Sequence, residues 1–289
     1  MPTPFSFIPA TPLVINRDIP APIQNDKIPA PSTISIQDGQ DYFIENDAQL
    51  PYKLIKNLGH GHSARVEMVE DTNTGFVYAR KVFRICGTRD ERKLIFENEI
   101  KVIRRLAPHH HVVRVFATYV AKREVGVILH PVADAGDLEA FLEDFIEANA
   151  RESLQIGKIR ILESSFGCLA SGLAFMHGQK IRHKDIKPRN ILIHQDSMIY
   201  TDFGYSLDHG SAAQSTTSGR PDTFTRKYCA PEVNDWEPRN SKSDVFSLGC
   251  VFLEILSALS REFKLPSHGK CYYESIESIQ RQLQKSAPP

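Results

Sequence analysis

Two short apolar runs with charged residues at their ends constrain the fold of this chain more than any other feature. Residues Ile191–Ile193 and Met198–Tyr200 are typical of β-strands, and the four polar residues between them suit a tight turn. Antiparallel pairing brings the outer ends of such strands together, so Asp185 and Asn190 are expected close to Asp202. Carboxylate and amide oxygens are the ligands that hard divalent cations prefer. The segment therefore predicts a metal–phosphate site.

The same residues resemble the catalytic core of the eukaryotic protein kinases. His183–Asp185 stands where that family has H-R-D, and Asp202–Gly204 matches its D-F-G. Lys187 and Asn190 complete the catalytic loop at the family's spacing. The resemblance implies a two-lobed α+β fold, in which a small antiparallel β-sheet lobe carries one helix and a larger lobe is mainly helical.

The run Leu58–Val66 resembles the glycine-rich loop that covers the phosphates in this family. Gly59 and Gly61 let the backbone approach phosphate oxygens, because no side chain intervenes. Ala64 replaces the family's third glycine, so we expect a lower nucleotide affinity. Taken alone, the run also suits an ordinary hairpin turn.

Val77–Lys81 resembles the family's V-A-I-K strand, whose lysine pairs with nucleotide phosphates and with a helix glutamate. Without its partners, Lys81 would also suit a strand-end lysine in water. The helical pattern of residues 92–106 has an apolar stripe, and Glu99 borders it. Glu97 falls on the face where exposed ion pairs form, so Glu99 is the predicted partner of Lys81.

By resemblance, each of these positions has a role in phosphoryl transfer. Asp185 would orient the acceptor hydroxyl and accept its proton, and Lys187 would stabilise the transferred phosphate. Asn190 and Asp202 would hold Mg²⁺. The residues implied in binding ATP are Leu58, Gly59, Gly61, Val66, Ala79, Lys81, Glu99, His130, Val132, Asn190 and Asp202.

Two further segments continue the family's order. Thr225–Glu232 resembles the substrate-positioning segment, and Thr225 matches the threonine that contacts the catalytic aspartate. Ser243–Gly249 resembles the start of a long buried helix, whose Asp244 braces the catalytic loop. The apolar run Val251–Leu259 is too short to span a membrane and contains a glutamate, which favours a buried helix.

Lys184 replaces the arginine that grips a phosphorylated activation loop in many kinases. Lysine keeps the charge but loses the planar, two-pronged hydrogen bonding of guanidinium. The loop offers hydroxyl acceptors at Ser215, Thr216, Thr217, Ser218 and Thr223. The hypothesis is that phosphorylation there orders the loop weakly through Lys184 and Arg226.

The stretch after the long helix, residues 260–289, is short and largely polar. The family places several more helices there, including an arginine that pairs with the glutamate of A-P-E, here Glu232. No counterpart of that arginine is found, and the apolar face of the long helix is expected to be partly uncovered or to recruit another chain. The leading hypothesis is an active Ser/Thr protein kinase. The alternative is a pseudokinase-like scaffold that binds partners without useful turnover.

Composition and charge limit the expected binding partners and the expected cellular compartment. The 35 Lys and Arg residues balance the 35 Asp and Glu residues, so there is no global basic field for nucleic acid. The chain has five cysteines, no C-x-x-C pair and no secretory signal, which predicts reduced thiols in the cytoplasm or nucleus. The expected partner is a protein with a Ser or Thr acceptor, and neither nucleic acid nor membrane is expected.

The domain organisation follows from these landmarks. Residues 1–40 are rich in proline and lack periodicity, so they are predicted to form a disordered tail. Residues 41–289 are predicted to form one kinase domain. Its small lobe covers about 41–129, its hinge about 130–134, and its large lobe about 135–289, with the C-terminal end incomplete.

Overall fold

The architecture is known from a computed structural model. It describes residues 33–45, 47–60, 64–84, 104, 106, 108–121, 124–147, 152–203, 207–208, 225–260, 262–266 and 270–286. Residues 33–289 belong to one compact unit. Most of the predicted tail and most of the predicted Glu99 helix lie outside the described residues.

The first half of the unit is a sheet with six described strands. They are β1 (Asp41–Phe43), β2 (Tyr52–His60), β3 (Ala64–Asp71), β4 (Val77–Arg84), β5 (Arg114–Val120) and β6 (Glu124–His130). The spatial order is β1-β5-β6-β4-β3-β2. All neighbours pair antiparallel except β1 and β5, which run parallel.

The two faces of this sheet are buried against different parts of the chain. Along β6, Val127 and Leu129 point into the large central core, whereas Ile128 between them packs in a second cluster on the other face. This alternation follows from the two-residue period of a strand. Val127 and Ile128 are each only 1% exposed, so both faces are covered.

Residues 33–40 cover the outer face of the sheet, although the sequence placed them in the disordered tail. Ile36 is buried in the second cluster with Ile44 and Leu50. The Ile34 amide donates to Gln49 O, and the Gly39 amide donates to Phe116 O. Residues 33–40 therefore pack on the sheet, and the alternation of Ile34 and Ile36 was a short strand-like signal that the proline-rich composition of the tail outweighed.

Gly126 of β6 leaves space for the aromatic ring of Tyr119 on the neighbouring strand β5. A Cβ at this position would lie 1.9 Å from Tyr119 Cε1. The Tyr119 hydroxyl donates to Glu124 at 2.6 Å. The absence of a side chain at Gly126 therefore makes room for a fully buried tyrosine.

The second half of the unit is mainly helical. Its helices are α1 (Leu138–Glu147), α2 (Glu152–Gly178), α3 (Pro231–Asn234), α4 (Lys242–Leu259) and α5 (Ile276–Ser286). Short strands complete it: β7 (Ile181–Arg182) pairs with β10 (Leu207–Asp208), and β8 (Ile191–His194) pairs with β9 (Ser197–Tyr200). Short 3-10 helices cover Pro188–Asn190, Arg226–Tyr228 and Tyr273–Ser275. The predicted two-lobed α+β fold is confirmed.

Helix α2 is the central helix of the large lobe. Leu162, Leu169, Leu173 and Met176 are at most 4% exposed, in agreement with the helical spacing seen in the sequence. The stretch Ile156–Gly178 is apolar and long enough to cross a membrane by length and composition alone. Its buried face packs in the central core, as expected of a core helix in a folded domain.

The segment after α4 covers more of that helix than the sequence predicted. Phe263, Tyr272 and Ile279 are buried with Tyr228 and Cys250 in a third cluster, against which partly buried apolar residues of α4 pack. Helix α5 also lies in this segment. Coverage is incomplete, since Val245 of α4 remains 55% exposed.

Candidate active site

The carboxylate of Asp185 lies at the centre of a bonded group of side chains. Lys187 Nζ lies 2.7 Å from Asp185 Oδ2, and Thr225 Oγ1 donates to Asp185 Oδ1 at 2.7 Å. Asn190 Nδ2 donates to Asp185 Oδ2 at 2.9 Å and to its backbone oxygen at 2.8 Å. Lys187 Nζ also donates to Thr225 Oγ1 at 2.9 Å, so the four residues form one network. The contact expected between Thr225 and Asp185 is present.

A second carboxylate, on α4, fixes the backbone of the catalytic loop. Asp244 is 2% exposed, and it accepts the His183 amide at 2.9 Å and the Lys184 amide at 2.8 Å. His177 Nε2 lies 3.0 Å from the same carboxylate. Lys184 has a φ of 68°, a conformation that residues other than glycine adopt only when neighbours hold them there. Asp244 therefore braces the loop as expected.

The charge state of Asp244 follows from these bonds. Burial by itself raises the pKa of its carboxyl, but the donors from His177 and the loop amides outweigh burial and lower that pKa below the ordinary value. The carboxylate consequently stays ionised over the neutral pH range and keeps accepting both amide protons.

The hairpin of β8 and β9 carries Asp202 to the same place. Its strands match the two runs predicted from the sequence, and Ile191 pairs with Tyr200. The His183 ring joins the hairpin to the catalytic loop, because its Nε2 lies 3.0 Å from Thr201 O and its Nδ1 accepts the Asp185 amide at 3.3 Å. The convergence predicted for the two ends is therefore observed.

Asp202 pairs with the small lobe. Lys81 Nζ lies 2.8 Å from Asp202 Oδ1, and this pair joins strand β4 to the second residue after β9. Burial raises the pKa of Asp202, and the nearby Lys81 ammonium overcomes that effect and leaves the pKa below its ordinary value. Asp202 itself has a φ of 63°, an infrequent backbone conformation at a position where polar groups converge.

Four more predicted residues lie in strands β2 to β4. Val66 of β3 pairs with Lys81, and Ala79 lies two residues before Lys81 on the same face of β4. Val66 and Ala79 both pack with the central core. Leu58 of β2 is 41% exposed, and no atom of the described residues would lie within 4 Å of a Cβ at Gly59, so these residues leave the backbone there open to an approaching group.

The two predicted hinge residues, His130 and Val132, lie at the end of strand β6 and just after it. His130 is the last residue of β6, and Val132, half-buried, follows in irregular backbone. Partial burial, with the charge of Arg114, lowers the pKa of His130. Two predicted residues, Gly61 and Glu99, lie outside the described residues.

The donor set suits a hard divalent cation bound with phosphates. Asn190 uses its amide nitrogen on Asp185, so its side-chain oxygen is the atom that remains for a cation. Lys81 takes one carboxylate oxygen of Asp202, and the part of the chain that the structure describes supplies no hydrogen bond to the other. Carboxylate and amide oxygens at the mouth of a phosphate site fit this class of ion.

The substrate-positioning segment is held differently from the family's pattern. Glu232 accepts a hydrogen bond from Ser243 Oγ at 2.8 Å, and no arginine of the described ranges pairs with it. Cys229 is buried, and burial raises the pKa of its thiol to about 11, so the thiol is protonated and inert. Arg226 is exposed and lies 3.7 Å from Glu274. The five predicted hydroxyl acceptors of the loop lie outside the described residues.

Sequence reasoning missed several positions around this segment. It did not find Ser243 as the partner of Glu232, nor His177 as a partner of Asp244. It also missed that Glu254 contacts Tyr228 and Tyr272. A glutamate inside an otherwise apolar helix was the available signal, because a buried charge requires partners.

Comparison with known proteins agrees with this geometry. Residues 52–286 match the family described as protein kinase domain. An Aurora kinase of Yarrowia lipolytica is 30% identical over 236 residues, which cover 79% of this chain and 57% of that protein. The mitogen-activated protein kinase kinase SIPKK of Nicotiana tabacum is 30% identical over 284 residues, which cover 96% of this chain and 73% of that protein.

A third relative is the serine/threonine-protein kinase cds1 of Schizosaccharomyces pombe. It is 32% identical over 250 residues, which cover 81% of this chain and 50% of that protein. The chain thus spans between 50% and 73% of the length of these three relatives.

Proposed function

The chain belongs to the protein kinase family, and on that premise we propose that it transfers the γ-phosphate of ATP to serine or threonine hydroxyls of proteins. The observation that carries the proposal is the network at Asp185. One carboxylate there contacts a lysine, a threonine hydroxyl and an amide, all within hydrogen-bond distance. Phosphoryl transfer depends mainly on positioning and charge stabilisation, which such a group of side chains supplies.

In this proposal Asp185 hydrogen-bonds to the hydroxyl group of the acceptor substrate. Its carboxylate orients the hydroxyl and accepts its proton as the new oxygen–phosphorus bond forms and the bond between the γ-phosphorus and the leaving ADP breaks. Lys187, 2.7 Å from the same carboxylate, neutralises charge on the transferred group. Thr225 donates to the other oxygen of the same carboxylate and so restricts the side-chain rotation of Asp185.

The nucleotide side of the site rests on Lys81, Asp202 and Asn190. Lys81 would hold the α and β phosphates, with Glu99 as its helix partner. Asp202 and Asn190 would ligate Mg²⁺, which when bound neutralises phosphate charge. The strands at Leu58–Val66, together with Ala79, His130 and Val132, would enclose the nucleotide.

The acceptor class follows from the catalytic loop and the relatives. Lys187 followed by Pro188 resembles the Ser/Thr-directed subgroup, and one relative is named a serine/threonine-protein kinase. We place the activity in the cytoplasm or nucleus, since Cys168, Cys229, Cys250 and Cys271 are free thiols.

A second candidate function is a kinase-fold module that binds partners without useful turnover. Two observations favour it: Glu232 is held by a neutral hydroxyl, and the apolar residue Val245 of α4 is 55% exposed. An exposed apolar residue on this helix suits contact with a partner protein.

Transfer of labelled phosphate separates the two functions. Purified protein is incubated with labelled ATP, Mg²⁺ and a generic protein acceptor, beside an Asp185→Asn variant of equal thermal stability. We expect transfer by the wild type and a loss on the order of 10²- to 10⁴-fold in the variant, the usual contribution of a general base. Folded wild-type protein that transfers no more than the variant would exclude the kinase function and leave the binding module.

A further inference from the structure

Glu254, in the middle of α4, accepts bonds from three side chains. Its Oε1 accepts from the Tyr272 hydroxyl at 2.7 Å and from the Tyr228 hydroxyl at 2.9 Å. Lys227 Nζ lies 2.7 Å from the same oxygen. We call these four residues the Glu254 cluster.

Three of the four side chains of the Glu254 cluster are largely closed to solvent, and the fourth, Lys227, is 47% exposed. The side chain of Glu254 is 10% exposed, and Tyr228 and Tyr272 are 6% and 2% exposed. The Lys227 ammonium lies 5.0 Å from the Tyr228 ring centroid and 5.8 Å from that of Tyr272. A buried carboxylate is costly unless it is paired and hydrogen-bonded, and this one is both.

Both hydroxyls remain donors at any physiological pH. Burial, reinforced by the negative charge of Glu254, raises the pKa of Tyr228 and of Tyr272 well above the ordinary value. Each phenol therefore keeps its proton, and the two bonds to Glu254 are charge-assisted, which makes them stronger than bonds between neutral groups.

The cluster joins the C-terminal segment to the substrate-positioning segment. Besides its hydroxyl bond, Tyr272 donates its backbone amide to Lys227 O at 3.2 Å. The rings of Tyr228 and Tyr272 lie 5.8 Å apart. Residues 270–275 are thus attached to the turn at 226–228 through both main chain and side chains.

The same turn leads directly to the catalytic carboxylate. The 3-10 helix Arg226–Tyr228 starts immediately after Thr225, and the Tyr228 amide donates to Thr225 O at 3.1 Å. Thr225 Oγ1 in turn donates to Asp185. A displacement of Tyr228 would therefore move Thr225 as well, because only one short helical turn separates them.

We propose that Tyr272 is a positioning residue for phosphate transfer, which acts through Glu254 to hold Thr225–Tyr228 where Thr225 bonds Asp185. The role rests on the proposed kinase function. It gives the substrate-positioning segment a charged anchor in a chain whose Glu232 is held by the Ser243 hydroxyl. The C-terminal segment is then part of the acceptor site although none of its residues touches the reacting atoms.

The test is Tyr272→Phe, which deletes one hydroxyl and keeps the ring. Loss of a bond to a charged acceptor should raise amide hydrogen exchange at residues 226–229 on the order of tenfold. The KM for a peptide acceptor should rise by a similar factor, while the KM for ATP stays unchanged. If Tyr272 had only a structural role, Tyr272→Phe would change the KM values for both the peptide and ATP, or would change neither.

Tyr52→Phe is the matched control. Tyr52 lies in β2, and its buried hydroxyl has no hydrogen-bond partner among the described residues. The control should change neither exchange at 226–229 nor the peptide KM. Glu254→Gln is a second variant that keeps an acceptor oxygen without charge, and it should raise both quantities at least as much as Tyr272→Phe.

The two readouts separate the inference from the function on which it rests. If wild-type protein transfers phosphate and Tyr272→Phe leaves the peptide KM and the exchange unchanged, the inference is wrong and the kinase function stands. If wild-type protein transfers nothing, the proposed function fails, and the exchange experiment alone decides whether Tyr272 holds the turn.

Discussion

Asp185 and Glu254 are two buried carboxylates bonded in the same way and placed in different surroundings. Each accepts from three side chains, and each has a lysine ammonium at 2.7 Å. At Asp185 the donors are divided between both oxygens, next to the Lys81–Asp202 pair. At Glu254 they converge on one oxygen between two tyrosine rings.

The difference shows what separates a reactive carboxylate from an architectural one. Near Asp185 the partners are a lysine ammonium, a threonine hydroxyl and an asparagine amide, beside the polar Lys81–Asp202 pair. Around Glu254 two of the three partners are buried tyrosine side chains, and the third, Lys227, is half-exposed. The bonding pattern is shared, and the neighbouring chemical groups differ.

The largest expected difference is between the two lysines. Lys187→Met should lower kcat for phosphate transfer on the order of 10²-fold, because it removes a cation beside the transferred group. Lys227→Met should leave kcat within about threefold, since Lys227 stabilises a segment and no reacting atom. Initial rates at saturating ATP and peptide measure both, and equal losses would contradict the division between the two carboxylates.

Stability should show the opposite order. Glu254→Ala should lower the free energy of unfolding by about 3 kcal/mol, because two buried phenol hydroxyls lose their acceptor. Asp185→Ala should change it by less than about 1 kcal/mol, since Asn190 keeps its bond to the backbone oxygen of residue 185 and Lys187 keeps its bond to Thr225. Urea denaturation of both variants gives the values, and a larger loss in the Asp185 variant would reverse the comparison.

A third buried carboxylate, Asp244, adds a pH test. Its pKa in the folded protein lies below the ordinary aspartate value of about 3.9, so its stabilisation is fully present above that pH. The stabilisation is lost as pH falls through the lowered folded pKa. Asp244→Asn should therefore lose less stability than the wild type when pH is lowered from about 5 to about 3. Urea unfolding measures the free energy of unfolding of both proteins at each pH. If it changes equally with pH in the wild type and in Asp244→Asn, the ionisation of Asp244 contributes nothing to stability in this range.

The smallest effect is expected at Glu232. Ser243→Ala removes one neutral hydroxyl bond to that glutamate and should cost about 1 kcal/mol or less. Ser164→Ala serves as a control, because its hydroxyl is exposed on α2 and bonds only Ile161 O in the same helix. A cost at Ser243 as large as that of Glu254→Ala would make Glu232 the main anchor of the substrate-positioning segment.

The parts of the site that sequence predicted well share a short separation along the chain. The hairpin of β8 and β9 has the predicted strands, and Asp185, Lys187 and Asn190 lie within six residues of one another. Local geometry then places their side chains together, because a tight turn followed by a strand leaves few arrangements. The brace from Asp244 was expected only through resemblance to a family.

The contacts that the sequence did not predict join segments that are far apart in the chain. Tyr272 reaches Glu254 across 18 positions, and neither residue belongs to a pattern that marks the other. Ile34 and Ile36 alternate with polar residues over too short a stretch to predict that they pack on the sheet. The C-terminal segment was predicted to be too polar to cover α4. Phe263, Tyr272 and Ile279 nevertheless pack against part of that helix.

The sequence by itself determined the family, the two-lobed fold and the residues that converge at the end of the β8–β9 hairpin. Each depends on residue type and short spacing, which local backbone geometry converts into position. Only the tertiary structure decided which carboxylate partners are enclosed, how residues 33–40 cover the sheet, and what holds the substrate-positioning segment. Those outcomes depend on packing between segments far apart in the chain, where burial and access are properties of the assembled fold and of no single stretch of sequence.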